Sequence, residues 1–237
     1  MKKIAIKLFL IVSMFQSSLS FAGAVDDPFI STFMFNQMEL RNADDGNPFV
    51  FAGQFWFGRD LNKLWIKTEF ERNNGNIEEA EIQALYSKTI APYWDIQMGI
   101  RSDLGVDSTP SRNWAVIGFQ GLAPYFFEID TTFFVGENGR TALRLEAEYE
   151  VLFTQKLILT PEIEVNFYGK NDPQTGVGSG LSSSEIGLRL RYEFRRNFAP
   201  YIGIVKTNTF NKTADYSRID GQPTSDSQFV LGIRAWF

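Results

Sequence analysis

The residues of this chain that could do chemistry are carboxylates on alternate positions. Glu128 and Asp130, Glu146 and Glu148, and Glu162 and Glu164 each lie two residues apart, with Asp95 in a similar alternating stretch. In an extended strand, positions i and i+2 face the same side, so each pair presents two acids to one space. Such a pair can attract cations, hold a metal ion weakly, or act on a glycosidic bond as acid and base. The last use is not singled out, because same-face acids recur on any polar strand face. The chain contains no histidine and no cysteine, which removes the usual general base and thiol nucleophile. No glycine-rich phosphate or dinucleotide cradle sits between a strand and a helix. The expectation is a protein that is not an enzyme.

Strands must position these acids, and the sequence supplies them in number. Apolar and polar residues alternate over twelve stretches, roughly 29–41, 49–59, 62–73, 77–89, 93–104, 112–122, 125–136, 140–153, 157–168, 184–195, 199–210 and 227–237. Each has the length of about ten residues that a tilted strand needs to cross a hydrocarbon layer. Connections after even strands are tight, as at Asp60-Leu61, Ala91-Pro92, Ala123-Pro124, Thr154-Gln155 and Asn197-Phe198. Connections after odd strands carry turn chemistry or length, as at Asn74-Gly75, Asn138-Gly139, the Gly/Ser-rich 169–183 and the polar 211–226. Short turns on one rim and long loops on the other are the pattern of an outer-membrane β-barrel. Ala-Pro-Tyr recurs at 91–93, 123–125 and 199–201, each beside a short turn. Proline suits a turn or a strand start, and each following tyrosine is expected in the interfacial aromatic girdle.

The two ends of the chain name the compartment. Lys2, Lys3 and Lys7 flank an apolar run from Ile4 to Phe15, and Ala22-Gly23-Ala24 has the small-x-small pattern of a signal-peptidase site. Cleavage is expected after Ala24, giving a signal peptide over 1–24 and a barrel over 25–237. Without cysteine there is no lipoprotein acylation site. Loss of the leader leaves 20 basic and 28 acidic side chains, a net charge of −8, which argues against nucleic acid as a partner. The final strand alternates as VLGIRAWF and ends on Phe237, the form in which exported barrels present themselves for assembly. Hydrophobic residues make up 44% of the chain, with 23 phenylalanines. Beyond the leader they are spread on alternate positions, as suits a lipid-facing wall.

Parity then assigns the walls. Trp94, Ile96, Met98 and Ile100 oppose Asp95, Gln97, Gly99, Arg101 and Asp103. Leu143, Leu145, Ala147, Tyr149 and Val151 oppose Arg144, Glu146, Glu148 and Glu150, and Ile186, Leu188, Leu190 and Tyr192 oppose Glu185, Arg189, Arg191 and Glu193. A soluble lipocalin-like barrel would carry the same alternation inside out. The aromatic character of the apolar face and the uniform charge of the other favour lipid outside. A lysine or arginine facing lipid at the midplane would cost about 2–4 kcal/mol. The lumen then holds Glu69, Asp95, Asp103, Glu128, Asp130, Glu146, Glu148, Glu162, Glu164 and Glu185 against Lys67, Arg101, Arg144, Arg189, Arg191 and Arg234. Two uses fit such a lumen: a cation path or weak metal site, and an ion-pair network stiffening a barrel that has no apolar core.

Several stretches taken together carry a family likeness: GRDLNKLWIKTE (58–69), ALYSKTIAPYWDIQMGIRSDL (84–104), GFQGLAPYFFEID (118–130), GSGLSSSEIGLRLRYEFRRNFAPYIGI (178–204) and the closing GIRAWF. With these the chain, from about Met38 to Phe237, resembles the copper resistance protein B family of Gram-negative outer-membrane barrels. The resemblance implies an outer-membrane protein of copper binding, copper resistance and copper homeostasis, extending to copper passage, with outer-membrane lipid, copper ions and a periplasmic copper-handling protein as partners. The alternative is a cation-selective pore or structural barrel without metal specificity. This chain departs from the family in lacking a Met- and His-rich segment ahead of the barrel.

Against copper chemistry, the mature chain offers only Met34, Met38 and Met98 as soft donors. Met34 and Met38 would stand about 13 Å apart in a continuous strand, too far to share an ion. Strand one changes parity, because Phe33 and Phe35 share a register with Gln37, Glu39 and Arg41. A bulge near Asn36 would resolve this and turn Met34 inward and Met38 outward. Met98 shares a face with Trp94, Ile96 and Ile100 and is expected to face lipid. The candidate metal set is therefore Met34, Met38, Asp95, Glu128, Asp130, Glu146, Glu148, Glu162 and Glu164.

Overall fold

In the computed structural model, residues 27–43, 46–105 and 109–237 are described. The expected signal segment over 1–24 lies outside them.

The alternation folds into antiparallel strands β1 (Ile30–Asn42), β2 (Phe49–Arg59), β3 (Asn62–Asn73), β4 (Asn76–Ala91), β5 (Trp94–Asp103), β6 (Arg112–Ala123), β7 (Phe127–Gly136), β8 (Thr141–Glu148), β9 (Val151–Leu152), β10 (Leu157–Tyr168), β11 (Gly180–Tyr192), β12 (Phe198–Thr209) and β13 (Ser225–Trp236). Each pairs with its sequence neighbour, β10 pairs with both β8 and β9, and β1 pairs with β13, so the sheet closes on itself. β8 and β9 are two pieces of one wall strand, so the barrel has twelve staves. The break between them has a local cause. Tyr149 donates its N–H to the Pro161 carbonyl at 3.1 Å, and proline has no N–H to return, so the ladder lapses for two residues and resumes at Val151. At the seam Phe33 and Phe237 exchange backbone hydrogen bonds of 3.0 and 2.9 Å.

Burial follows parity as expected for a barrel in lipid. Leu145, Ile186, Leu188 and Ile233 are exposed on the outer wall, while Arg189 and Arg191 are buried inside with Glu146 and Arg234 on the same luminal face. Phenylalanines of β1, β2 and β3 pack edge to edge on the outside, with Phe51 stacked on Phe70 at 5.1 Å between ring centres. The expected bulge is present: the β1–β2 register shifts between Phe35 and Gln37, leaving Asn36 unmatched. It turns Met34 to the lumen and puts Met38 on the outer face with exposed Leu40, while Glu39 and Arg41 are buried inside.

Three expectations need correction. Tyr93 and Tyr125 are exposed at short turns, but Tyr201 is buried and points inward. In the first two repeats the proline and tyrosine lie beyond the strand end, whereas Pro200 is the third residue of β12 and gives Tyr201 a luminal strand position. The polar stretch 211–226 contains a helix, α1 (Asn211–Ile219), leaning on β11. The lumen also has an apolar core: Leu85, Trp114, Val116, Phe134 and Ala142 cluster inside, with Trp65 and Tyr168 against them. No helix among the described residues is long and apolar enough to cross a membrane, a statement that does not bear on strands.

Candidate functional site: a charged lumen

Strand pairing places the acids in rows. Asp130 on β7, Glu146 on β8, Glu164 on β10 and Glu185 on β11 are direct cross-strand partners in series. One rung away, Glu128, Glu148 and Glu162 form a second row over β7, β8 and β10. Opposed side chains in a sheet have Cβ atoms about 5 Å apart, and like charges there are destabilising. Cations relieve part of this, Lys67 and Arg234 from distant staves and Arg189 from the neighbouring β11. Lys67 reaches Asp130 at 3.1 Å, Arg189 reaches Glu162 at 2.6 Å, and Arg234 reaches Glu148 at 3.3 Å. Arg144 stands 3.7 Å from Glu164. Among the described residues, Glu128 and Glu146 have neither a hydrogen bond nor an ion pair within 4 Å.

Two knots cross the lumen. In the first, fully buried Glu39 accepts from Arg41 Nε at 2.7 Å, from Arg189 Nε and Nη2 at 3.0 and 3.1 Å, and from the Tyr201 hydroxyl at 2.9 Å. Arg41 continues to both oxygens of Glu185 at 2.9 and 3.0 Å. In the second, Glu81 accepts Arg101 at 2.8 Å and Arg144 at 3.1 Å, and both guanidiniums lie over the Phe134 ring, at 4.7 and 5.8 Å. The Trp114 indole N–H donates to Asp103 at 2.8 Å. Arginine suits such crossings because a planar, weakly hydrated cation can pair with carboxylates and stack on an aromatic face together.

A cavity of about 1080 Å³ runs through the lumen, bordered by residues of both knots and by Met34, Lys67, Glu128, Asp130, Glu146, Glu148, Glu162 and Glu164 among others. The candidate set thus divides. Met34 and six of the carboxylates border one space, and the Met34 thioether accepts from Gln54 Nε2 at 3.5 Å. Met38 does not join them, because the bulge puts it on the outer face. Asp95 is also set apart, held by Thr89 at 2.7 Å, Ser87 at 3.0 Å and Lys63 at 3.6 Å, off the cavity wall. Among the described residues no three His, Cys, Asp or Glu side chains converge as a metal-holding group. Sequence reasoning did not find the Glu39–Arg41–Tyr201 hub, although the parity change in β1 that places Glu39 and Arg41 inside was its signal.

Extracellular loops fold over the mouth. Asp172, in the β10–β11 connection, accepts both ends of the Arg112 guanidinium at 2.8 and 3.1 Å and Arg140 at 2.9 Å. The hydrogen bonds from Arg112 hold its carboxyl below the usual carboxylate range. The same loop is tied to α1 by the Gly178 N–H to the Thr213 hydroxyl at 2.9 Å. Thr213 and Tyr216 of α1 then border the cavity.

Comparison with known proteins agrees with this geometry. The chain is 44% identical over 212 residues to the copper resistance protein B homolog of Pseudomonas syringae pv. tomato, covering 90% of this chain and 71% of that protein. It is 45% identical over 204 residues to copper resistance protein B of Escherichia coli, covering 86% and 68%. Among solved structures, the KdgM porin aligns with TM-score 0.54 at 12% identity and the NanC porin with 0.55 at 9%, each over 87% of this chain and 99% of its own. These two likenesses speak to the barrel fold of the outer membrane alone. The family described as copper resistance protein B precursor matches residues 29–237. With the matched region running from the first strand to the last residue, the chain belongs to the copper resistance protein B family.

Proposed function

We propose that this outer-membrane barrel, acting without catalysis, binds copper ions as cargo in its lumen and passes them between the mouth and the periplasmic side. The observation that carries the reading is the pair of in-register carboxylate rows. Opposed acids on adjacent strands raise the energy of the empty wall, and Glu128 and Glu146 have no ion pair within 4 Å among the described residues. A mobile cation entering the cavity would relieve that repulsion. Met34 adds the single thioether on the cavity wall, a donor that favours copper(I) over hard ions. A periplasmic copper-handling protein would receive or deliver the ion.

A second reading, a structural barrel with no metal specificity, is favoured by one observation: the two ion-pair knots tie staves that are not neighbours, β1 to β11 and β4 to β8, with the Phe134 cluster packed against the second. Copper content and tolerance of cells carrying variants separate the two. Met34→Leu keeps bulk and removes sulfur. It should lower copper handling while leaving the barrel folded. Glu146→Gln with Glu148→Gln should weaken handling of divalent cations in general. If both folded variants behave as wild type, the lumen is structural and the copper reading is wrong.

A further inference from the structure

Near the extracellular rim the apolar outer wall is interrupted on β12. Along β12, Ile202 and Ile204 face lipid, and Lys206 follows on the same face, exposed. Its register partners are Ile186 on β11 and Ser227 on β13. One rung higher stand Ser184, Asn208 and Ser225, where the Ser225 hydroxyl donates to the Asn208 amide oxygen at 2.9 Å. At the height of Lys206, β12 and β13 thus carry an ammonium and a hydroxyl beside the apolar Ile186 of β11, and all three staves are polar one rung higher. Among the described residues Lys206 has no hydrogen bond and no carboxylate within 4 Å, although this chain carries an excess of acids.

A lysine on the lipid face costs about 2–4 kcal/mol at the midplane and about 0–1 kcal/mol near an interface. Its position three residues before the end of β12, on the side of the long loops, puts it at the headgroup level of the outer leaflet. The one abundant anion there is the phosphate of the outer-leaflet glycolipid. A compact ammonium with the Ser227 hydroxyl beside it can take a phosphate by charge-assisted hydrogen bonds. A second barrel would be a poor occupant, since the patch breaks the apolar wall that a lateral contact would bury. We infer that Lys206, with Ser227 beside it, is a binding site for a phosphate of a lipid A-type glycolipid.

The test uses the full barrel in detergent, titrated with bisphosphorylated lipid A and followed by native mass spectrometry. Wild type should hold the lipid, and Lys206→Gln should bind about tenfold more weakly, as loss of one charge-assisted contact implies. Lys206→Arg should retain binding, and Lys88→Gln, on the outer wall near the opposite rim, should leave it unchanged. Enzymatically dephosphorylated lipid A should bind wild type no better than bisphosphorylated lipid binds Lys206→Gln. Equal binding of both lipids to wild type, equal binding of lipid A to wild type and Lys206→Gln, or protection of Lys206 by a second barrel in cross-linking would overturn the site. If Lys206→Gln does not fold, the two-lipid comparison on wild type and the Lys206→Arg variant decide the matter.

Discussion

Replacing Glu39 by alanine removes the acceptor on which four donor atoms converge: Arg41 Nε, Arg189 Nε and Nη2, and the Tyr201 hydroxyl. A hydrogen bond to a charged group is worth about 1.5–3 kcal/mol, but bonds within one network do not add. Arg41 keeps Glu185 at 2.9 Å and Arg189 keeps Glu162 at 2.6 Å, so neither cation is abandoned. The cost should therefore fall at the lower end of the range for breaking a buried pair, about 3 kcal/mol. Tyr201→Phe removes only one donor and should cost about 1–2 kcal/mol, most of which should vanish in the Glu39→Ala background. Glu39→Gln, which keeps shape and one acceptor, should lie between. Urea unfolding of the barrel in lipid vesicles, read by tryptophan fluorescence, measures all four variants on one scale. A loss below about 1 kcal/mol for Glu39→Ala, or additive losses for the pair, would show that the knot does not hold the staves together.

The remaining expectations are briefer. Deleting Phe237 removes both backbone hydrogen bonds to Phe33 at the seam, which should lower stability by about 1–3 kcal/mol and the yield of heat-modifiable folded barrel. Phe237→Glu keeps those backbone bonds, so a yield equal to wild type would show that the terminal aromatic is dispensable for assembly. Asp172→Asn should loosen the loop from Arg112 and Arg140 and raise its cleavage by added protease. Because the Asp172 pKa lies below its ordinary 3.8, the loop's ionic tie is fully present above that value and is lost only as pH falls through the lower folded value. Loop protection should therefore be flat from neutral pH down to about pH 4 and fall only under stronger acid. Copper content in cells carrying Met34→Leu tests the thioether on the cavity wall, as set out above.

Much of this molecule was fixed by local pattern. The period-2 alternation of side chains, with turn residues at each interval, specified strands and their faces, because a one-residue slip would put arginines such as Arg189 and Arg191 into lipid. It also specified the bulge at Asn36, since Phe35 and Gln37 could not otherwise face as their chemistry requires. Closure of the sheet decided the rest. Which carboxylates meet which cations depends on staves far apart in sequence, as Glu39 with Arg189 or Lys67 with Asp130, and no local pattern encodes a chord across a lumen. The same closure gathers Leu85, Trp114, Val116 and Phe134, from strands whose patterns say nothing of one another, into an apolar cluster inside the barrel. Tyr201 shows the division at a single residue. Its tripeptide matches two others in sequence, yet Pro200 lies within a paired strand, and parity turns the phenol inward to the one carboxylate that closure had placed there.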